Sequence, residues 1–220
     1  MSSFATVKAV QATDSLNLRN INHQLNQQPW LTYQKLQSQA DEYINAPTNE
    51  YLWWLLRKAQ AENLLYFFDK LQVTVKTAES LINDKTPPRV AINFTIFQGV
   101  ILQRNGKYQE SQRVLKQAKK TAKIHKYTDL LVSAKLELAY TRSLTELYES
   151  SLTDLQKAYV EAIALNDELL VARINEVYGA IYGYLHDYGQ SIEYYQRASK
   201  SYHQLGYSAH EVEAIYGIAV

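Results

Sequence analysis

Residues 175–198 read NEVYGAIYGYLHDYGQSIEYYQRA. Two helical segments flank a short polar break at His186 and Asp187, and small residues fall at set points within them. Gly179 is followed by Tyr182, and Tyr188 by Ser191, Tyr195 and Ala198. Residues three and four apart share a helix face, so this order of small and aromatic side chains describes a helical hairpin closed by a near approach. The same order recurs outward from this stretch. Gly99, Ala139 and Gly179 stand 40 residues apart, with Gly217 a further 38 on. Tyr108, Tyr148 and Tyr188 open the second helices at the same 40-residue interval, and Ala118, Ala158 and Ala198 repeat within them. Backward, Phe68 and Ala78 continue the second-helix series, while Ala59 stands in for the glycine. A period near 40 predicts stacked hairpins, none of which can bury its apolar face alone.

The punctuation agrees with that period. All four prolines lie at or before residue 88, each where a helix should begin or end. Pro29 suits the first turn of a helix over 30–44. Upstream, Leu16, Ile21 and Leu25 predict a helix over 14–26, capped by Asp14 or Ser15. After Pro47 come helices over 50–66 and 68–82, ended by NDKTPP at 83–88. From Arg89 onward the pattern is helix, Asn105–Gly106 turn, helix, with Gly106 placed as the left-handed residue after a helix end. Segments 129–147 and 150–165 form the next pair, 170–205 the pair quoted above, closed by Gly206, and 210–220 begins another helix. The organisation is an amino-terminal helical cap over 1–48, repeats over 49–88, 89–128, 129–168 and 169–207, and a partial repeat over 208–220. A solenoid stopping mid-hairpin, with Ile215 and Ile218 ready to be covered, predicts either an incomplete end or an apolar edge for self-association through 210–220.

Composition excludes several classes of function. The net charge is +1, which gives no electrostatic case for nucleic acid or a membrane surface. The chain has no cysteine, which removes disulfides, thiolate metal sites and a cysteine nucleophile. The most apolar run, 51–56, stops at Arg57 and Lys58, far short of the roughly 20 residues of a membrane span. Residues 1–15 contain no signal-peptide core. The five histidines, at 23, 125, 186, 203 and 210, show no metal-ligand spacing, so neither a metal nor a cofactor is expected. No phosphate-binding glycine loop is present. Carboxylates such as Glu137, Glu146, Glu149 and Asp154 scatter among helix faces without defining an acid–base pair. Asn93-Phe94-Thr95 matches a glycosylation acceptor but falls within a helix. Arg113, Lys116, Lys119, Lys120, Lys123 and Lys126 make a run without acids, read as the solvated outer face of a second helix.

The repeated residues resemble tetratricopeptide repeats over about residues 50–220, best in 91–126 and 172–205. The period is nearer 40 than the usual value of about 34. No proline follows the second helix, Arg142 stands where a large apolar residue is usual, and the first unit lacks its glycine. The resemblance implies an all-α superhelical solenoid and a non-catalytic binding or sensor module. In that family the first helices line a concave groove that holds a peptide, a partner protein or a small ligand. Carried over by register, the groove positions are Trp53, Gln60, Asn93, Gln103, Arg104, Ser133, Tyr140, Arg173, Glu176 and Tyr184.

The layout, with QQPW at 27–30 leading into long hairpins, also resembles the sensor regions that precede bacterial GGDEF diguanylate cyclase domains. That resemblance implies the periplasmic, regulatory part of a larger inner-membrane signalling protein. No GGDEF motif lies in these 220 residues. The alternative is a stand-alone cytoplasmic scaffold or peptide-binding regulator.

Overall fold

The computed structural model describes Leu25 and residues 28–219, and the remainder of the helix expected over 14–26 lies outside the described residues. Eleven helices follow in order: α1 (Pro29–Ser38), α2 (Ala40–Ile44), α3 (Thr48–Leu64), α4 (Phe68–Glu79), α5 (Pro88–Arg104), α6 (Tyr108–Ile124), α7 (Thr128–Ser143), α8 (Tyr148–Ala164), α9 (Glu168–Tyr184), α10 (Tyr188–Leu205) and α11 (Ser208–Ala219). Among the described residues there is no strand. The fold is an all-α superhelical solenoid of antiparallel hairpins.

The single helix expected over 30–44 is two. The Ser38 hydroxyl donates to the Lys35 carbonyl at 2.8 Å, and the Gln39 amide to Leu36 at 3.3 Å, so local bonds replace the helical ladder there.

From α3 onward a helix begins every 20 residues, at 48, 68, 88 and so on to 208. The clock is kept by the corners. Tyr66, Gly106, Lys126, Glu146, Asn166, His186 and Gly206 all have φ between 53° and 77°. The amide after each donates to the carbonyl five residues back, at 2.8 to 3.2 Å. This is the Schellman closure of a helix end. Only two of the seven are glycines. The corner between α4 and α5 differs: Asn83 and Thr86 bond each other, Thr86 by its amide at 2.9 Å and by its hydroxyl at 3.0 Å, and Pro87–Pro88 start α5.

The small positions of the first helices act as expected. A Cβ on Gly99 would stand 2.5 Å from Leu115, and one on Gly179 would stand 2.8 Å from the Tyr195 ring. Ala59 and Ala139 are fully buried, as are Ala78, Ala118, Ala158 and Ala198 on the second helices. A buried serine fastens each of the last three pairs. Ser111, Ser151 and Ser191 donate to the carbonyls of Gly99, Ala139 and Gly179 at 2.8, 2.8 and 2.9 Å. Arg142, out of place in the apolar pattern, is accommodated by Asp154 at 2.6 Å.

Gly217 does not belong to the small-residue series. With helices starting at 168 and 208, the equivalent of Gly179 is Ala219. Gly217 packs instead against the preceding helix, where a Cβ would lie 2.5 Å from Tyr195 Cζ. The Tyr195 ring is therefore held between two glycines.

Candidate concave ligand chamber

The first helices α3, α5, α7, α9 and α11 face inward, and the superhelix turns far enough to bring α11 back to the corner after α3. The Tyr66 ring centroid lies 4.7 Å from that of His210, whose other ring neighbours are Tyr202 at 5.0 Å and Tyr207 at 5.9 Å. Beside them, Leu64 packs against the buried cluster of Ala172, Ala198, Tyr202, Tyr207 and Ala214. The groove is thereby closed into a chamber of about 610 Å³. A second chamber of about 220 Å³ adjoins it and shares Asn63, Val100, Glu137 and Arg173 with the first.

Charged groups converge on that shared wall. Arg173 is ion-paired with Glu137, and Tyr202 donates its hydroxyl to Glu176. Burial alone would lower the Arg173 guanidinium, but Glu137, with Tyr202 and Glu176, outweighs it and raises its pKa above the ordinary value. Glu176 is pushed upward by burial, against the pull of Tyr202 and Arg173. His210 is held down at about 3, first by burial and then by Arg173, so the imidazole is neutral. Burial raises Tyr140 to about 12 and moves Tyr66 and Tyr195 in the same direction. These tyrosines are packing and hydrogen-bonding groups rather than acids at neutral pH.

Six of the ten groove positions taken from the sequence line the larger chamber: Gln103, Arg104, Tyr140, Arg173, Glu176 and Tyr184. Gln60, Asn93 and Ser133 line the smaller one, with Arg173 shared. Trp53 lines neither chamber. Its ring is half-buried, with the Arg57 guanidinium 5.6 Å from its centroid. Several of the nine have structural duties. Gln103 is buried and donates to Thr141 Oγ1 at 2.8 Å. Asn93 and Ser133 donate to their own helices, at the Arg89 and Asp129 carbonyls. Gln60 Oε1 accepts from Arg57 at 2.7 Å. Arg104 lies over the Phe68 ring at 3.7 Å, and Tyr184 stacks on Tyr148 at 6.1 Å.

Tyr66, Glu137, Tyr195, His210, Glu213 and Tyr216 also line the chamber and were not singled out as groove residues. Glu137 could have been found from its register on a first helix. The others come from corners, a second helix and the last helix, and only the turn of the superhelix brings them together.

On the convex side, Arg113, Lys116, Lys120, Lys123 and Lys126 of α6 and its corner are exposed, and Lys119 reaches Asp154 at 3.8 Å. Among the described residues no helix is long and apolar enough to cross a membrane, and no group of side chains could hold a metal ion.

No family model matches the sequence, and neither does any curated protein. Among solved structures, the chain is similar to a Rap protein complexed with competence and sporulation factor, with a TM-score of 0.73 at 16% identity. That match covers 91% of this chain and 57% of the Rap protein, so the chain spans little more than half its length. It is also similar to BtubC from P. vanneervenii, with a TM-score of 0.51 at 14% identity over 94% of this chain and 86% of that one. At such identities the likeness establishes the fold, a tetratricopeptide-like helical repeat.

Proposed function

We propose that this chain is a non-catalytic binding module that holds a short peptide or a polar small ligand inside its concave chamber. The observation that carries this reading is the chamber itself. Its volume of about 610 Å³ falls in the range of small-ligand sites, about 300–1,000 Å³, and aromatic walls surround a few convergent polar groups. The Rap protein solved in complex with competence and sporulation factor supports the reading by sharing the fold. Arg104, Tyr140, Glu176 and Tyr184 are the contacts assigned to the ligand. Repeats 49–88, 89–128, 129–168 and 169–207 build the walls, and the partial repeat 208–220 closes them. A cyclase-linked context would add a membrane helix and a GGDEF domain, and reading the gene past the codon for Val220 tests it; the binding role does not depend on that outcome. The exposed Val212, Ile215 and Tyr216 of α11 give this module an edge for self-association, which a strict monomer by light scattering would remove.

The direct test is thermal denaturation of the full chain with pools of hexapeptides. At least one pool should raise the midpoint, because ligand that binds only the folded state stabilises it by mass action. Ala180→Trp, which fills the chamber from α9, should abolish that rise while leaving the helical circular dichroism intact. No rise with any pool, or an equal rise in Ala180→Trp, would overturn the assignment.

A further inference from the structure

Taken together, the two chambers are lined by five carboxylates, Asp129, Glu137, Asp167, Glu176 and Glu213, and by two guanidiniums, Arg104 and Arg173. No lysine lines either one, although the chain as a whole carries +1. The basic residues gather instead on the convex α6. Three of the five acids are accounted for within the fold. Asp129 takes two bonds from Arg89 at 2.6 and 3.0 Å, Glu137 pairs with Arg173, and Asp167 caps α9 by accepting from the Leu170 amide at 3.0 Å. Among the described residues Glu176 accepts from the Tyr202 hydroxyl and feels Arg173 without a hydrogen bond to it, and Glu213 makes no ion pair. Both acids act electrostatically on Tyr66 and Tyr195, and on Tyr66 they are opposed by Arg173 and Arg104. Tyr195 cannot swing away, because Gly179 and Gly217 close on its two sides. One further group lacks a partner. His210 is 5% exposed and lies in the chamber wall, and its Nδ1 has no hydrogen-bond partner among the described residues. A neutral imidazole keeps one acceptor nitrogen, which an N–H donor would satisfy.

We infer that the ligand carries a positively charged nitrogen group, seated between Glu176 and Glu213 in the larger chamber. This rests on the chamber being the binding site, as proposed above. Glu176 is half-buried, where a carboxylate interacts with such a cation more strongly than a surface acid does, and the exposed Glu213 adds a second negative charge at the rim. Arg104, over Phe68, is the remaining cation of the wall and repels a second one, so a ligand with a single positive group fits best. The nitrogen can be a basic side chain or a free amino terminus of a peptide.

Four hexapeptide pools separate these cases by calorimetry and thermal denaturation. The first is capped at both ends with one Arg or Lys, and the second is uncharged with a free amino terminus. The third is capped and uncharged, and the fourth is capped with one Asp or Glu. The first, the second or both should bind, and the third and fourth should not. For a peptide selected from the binding pool, Glu176→Gln and Glu213→Gln should each weaken affinity about tenfold or more, the scale of one charge-assisted hydrogen bond. Glu213 is exposed, so its variant should keep the fold, checked by circular dichroism. Binding of the third or fourth pool as tight as the first two would overturn the cation assignment while leaving the binding role standing. So would unchanged affinity in Glu213→Gln and Glu176→Gln alike. Absence of binding by every pool would overturn both.

Discussion

Gly179 shows how much one residue decides here. A helix interior ordinarily disfavours glycine by about 1 kcal/mol relative to alanine, yet no other side chain fits this site. The Tyr195 ring occupies the space where a Cβ would be, at 2.8 Å, and the Gly179 carbonyl accepts from Ser191 at 2.9 Å. Gly179→Leu should cost about 1–3 kcal/mol or more by overpacking. Urea unfolding would register this as a lower midpoint, and an unchanged midpoint would refute the helix register. A Cβ on Gly99 would likewise stand 2.5 Å from Leu115, and Ala139 at the equivalent position is fully buried.

At the scale of elements, corners rather than helices set the period. Seven helix ends close with a left-handed residue and the same long backbone bond, and the helix after each restarts 20 residues after the last; α5 keeps the interval through the Asn83–Thr86 corner. Tyr66, Lys126, Glu146, Asn166 and His186 all adopt a conformation that costs an ordinary residue about 1–2 kcal/mol. Asparagine tolerates it better than the rest. Glu146 is exposed, with φ 63°, and its backbone bonds do not depend on the side chain. Glu146→Gly should therefore stabilise the chain by about 0.5–1 kcal/mol, the left-handed cost less the extra entropy of glycine in the unfolded chain. Calorimetry should show a melting point raised by about 1–4 °C. A lower melting point would mean that the corner is held by the glutamate side chain.

For the whole molecule, the decisive contact joins the corner after α3 to α11. His210 sits among Tyr66, Tyr202 and Tyr207 with its pKa down at about 3, against 6.5 when unfolded. Between those values the unfolded chain binds a proton that the folded chain excludes, so stability falls as pH drops from about 6.5 toward about 3. Glu62 and Glu176, raised chiefly by burial, act the other way. Above 4.5 the folded chain retains protons that the unfolded chain has released, so their contribution grows as pH falls toward 4.5. Comparing the chain with His210→Phe isolates the imidazole. Relative to that variant, the native chain should lose on the order of a few kcal/mol between pH 7 and 3.5, measured by urea unfolding. A difference constant with pH would show that the ring is not kept neutral by the closure.

The sequence by itself determined the solenoid, its 40-residue period and the small positions, because these depend on contacts within a hairpin and its neighbour. Helical spacing and side-chain size encode such contacts directly, as the series Ala118, Ala158 and Ala198 does. It also marked nine of the ten groove residues now found in the chamber walls. Trp53, the tenth, lines neither chamber, and Gly217 stands two residues out of the small-residue series, because 38 and 40 look alike in a short last helix. Five of the seven left-handed corners carry no glycine, and at Tyr66, Lys126 and Glu146 the residue type gives no signal of that conformation, so the closing backbone bonds hold them there. Closure of the groove into a chamber was decided by tertiary structure alone. It arises from the small rotation each hairpin adds to the last, summed over the stack until Tyr66 meets His210, and no local pattern of residues records that sum.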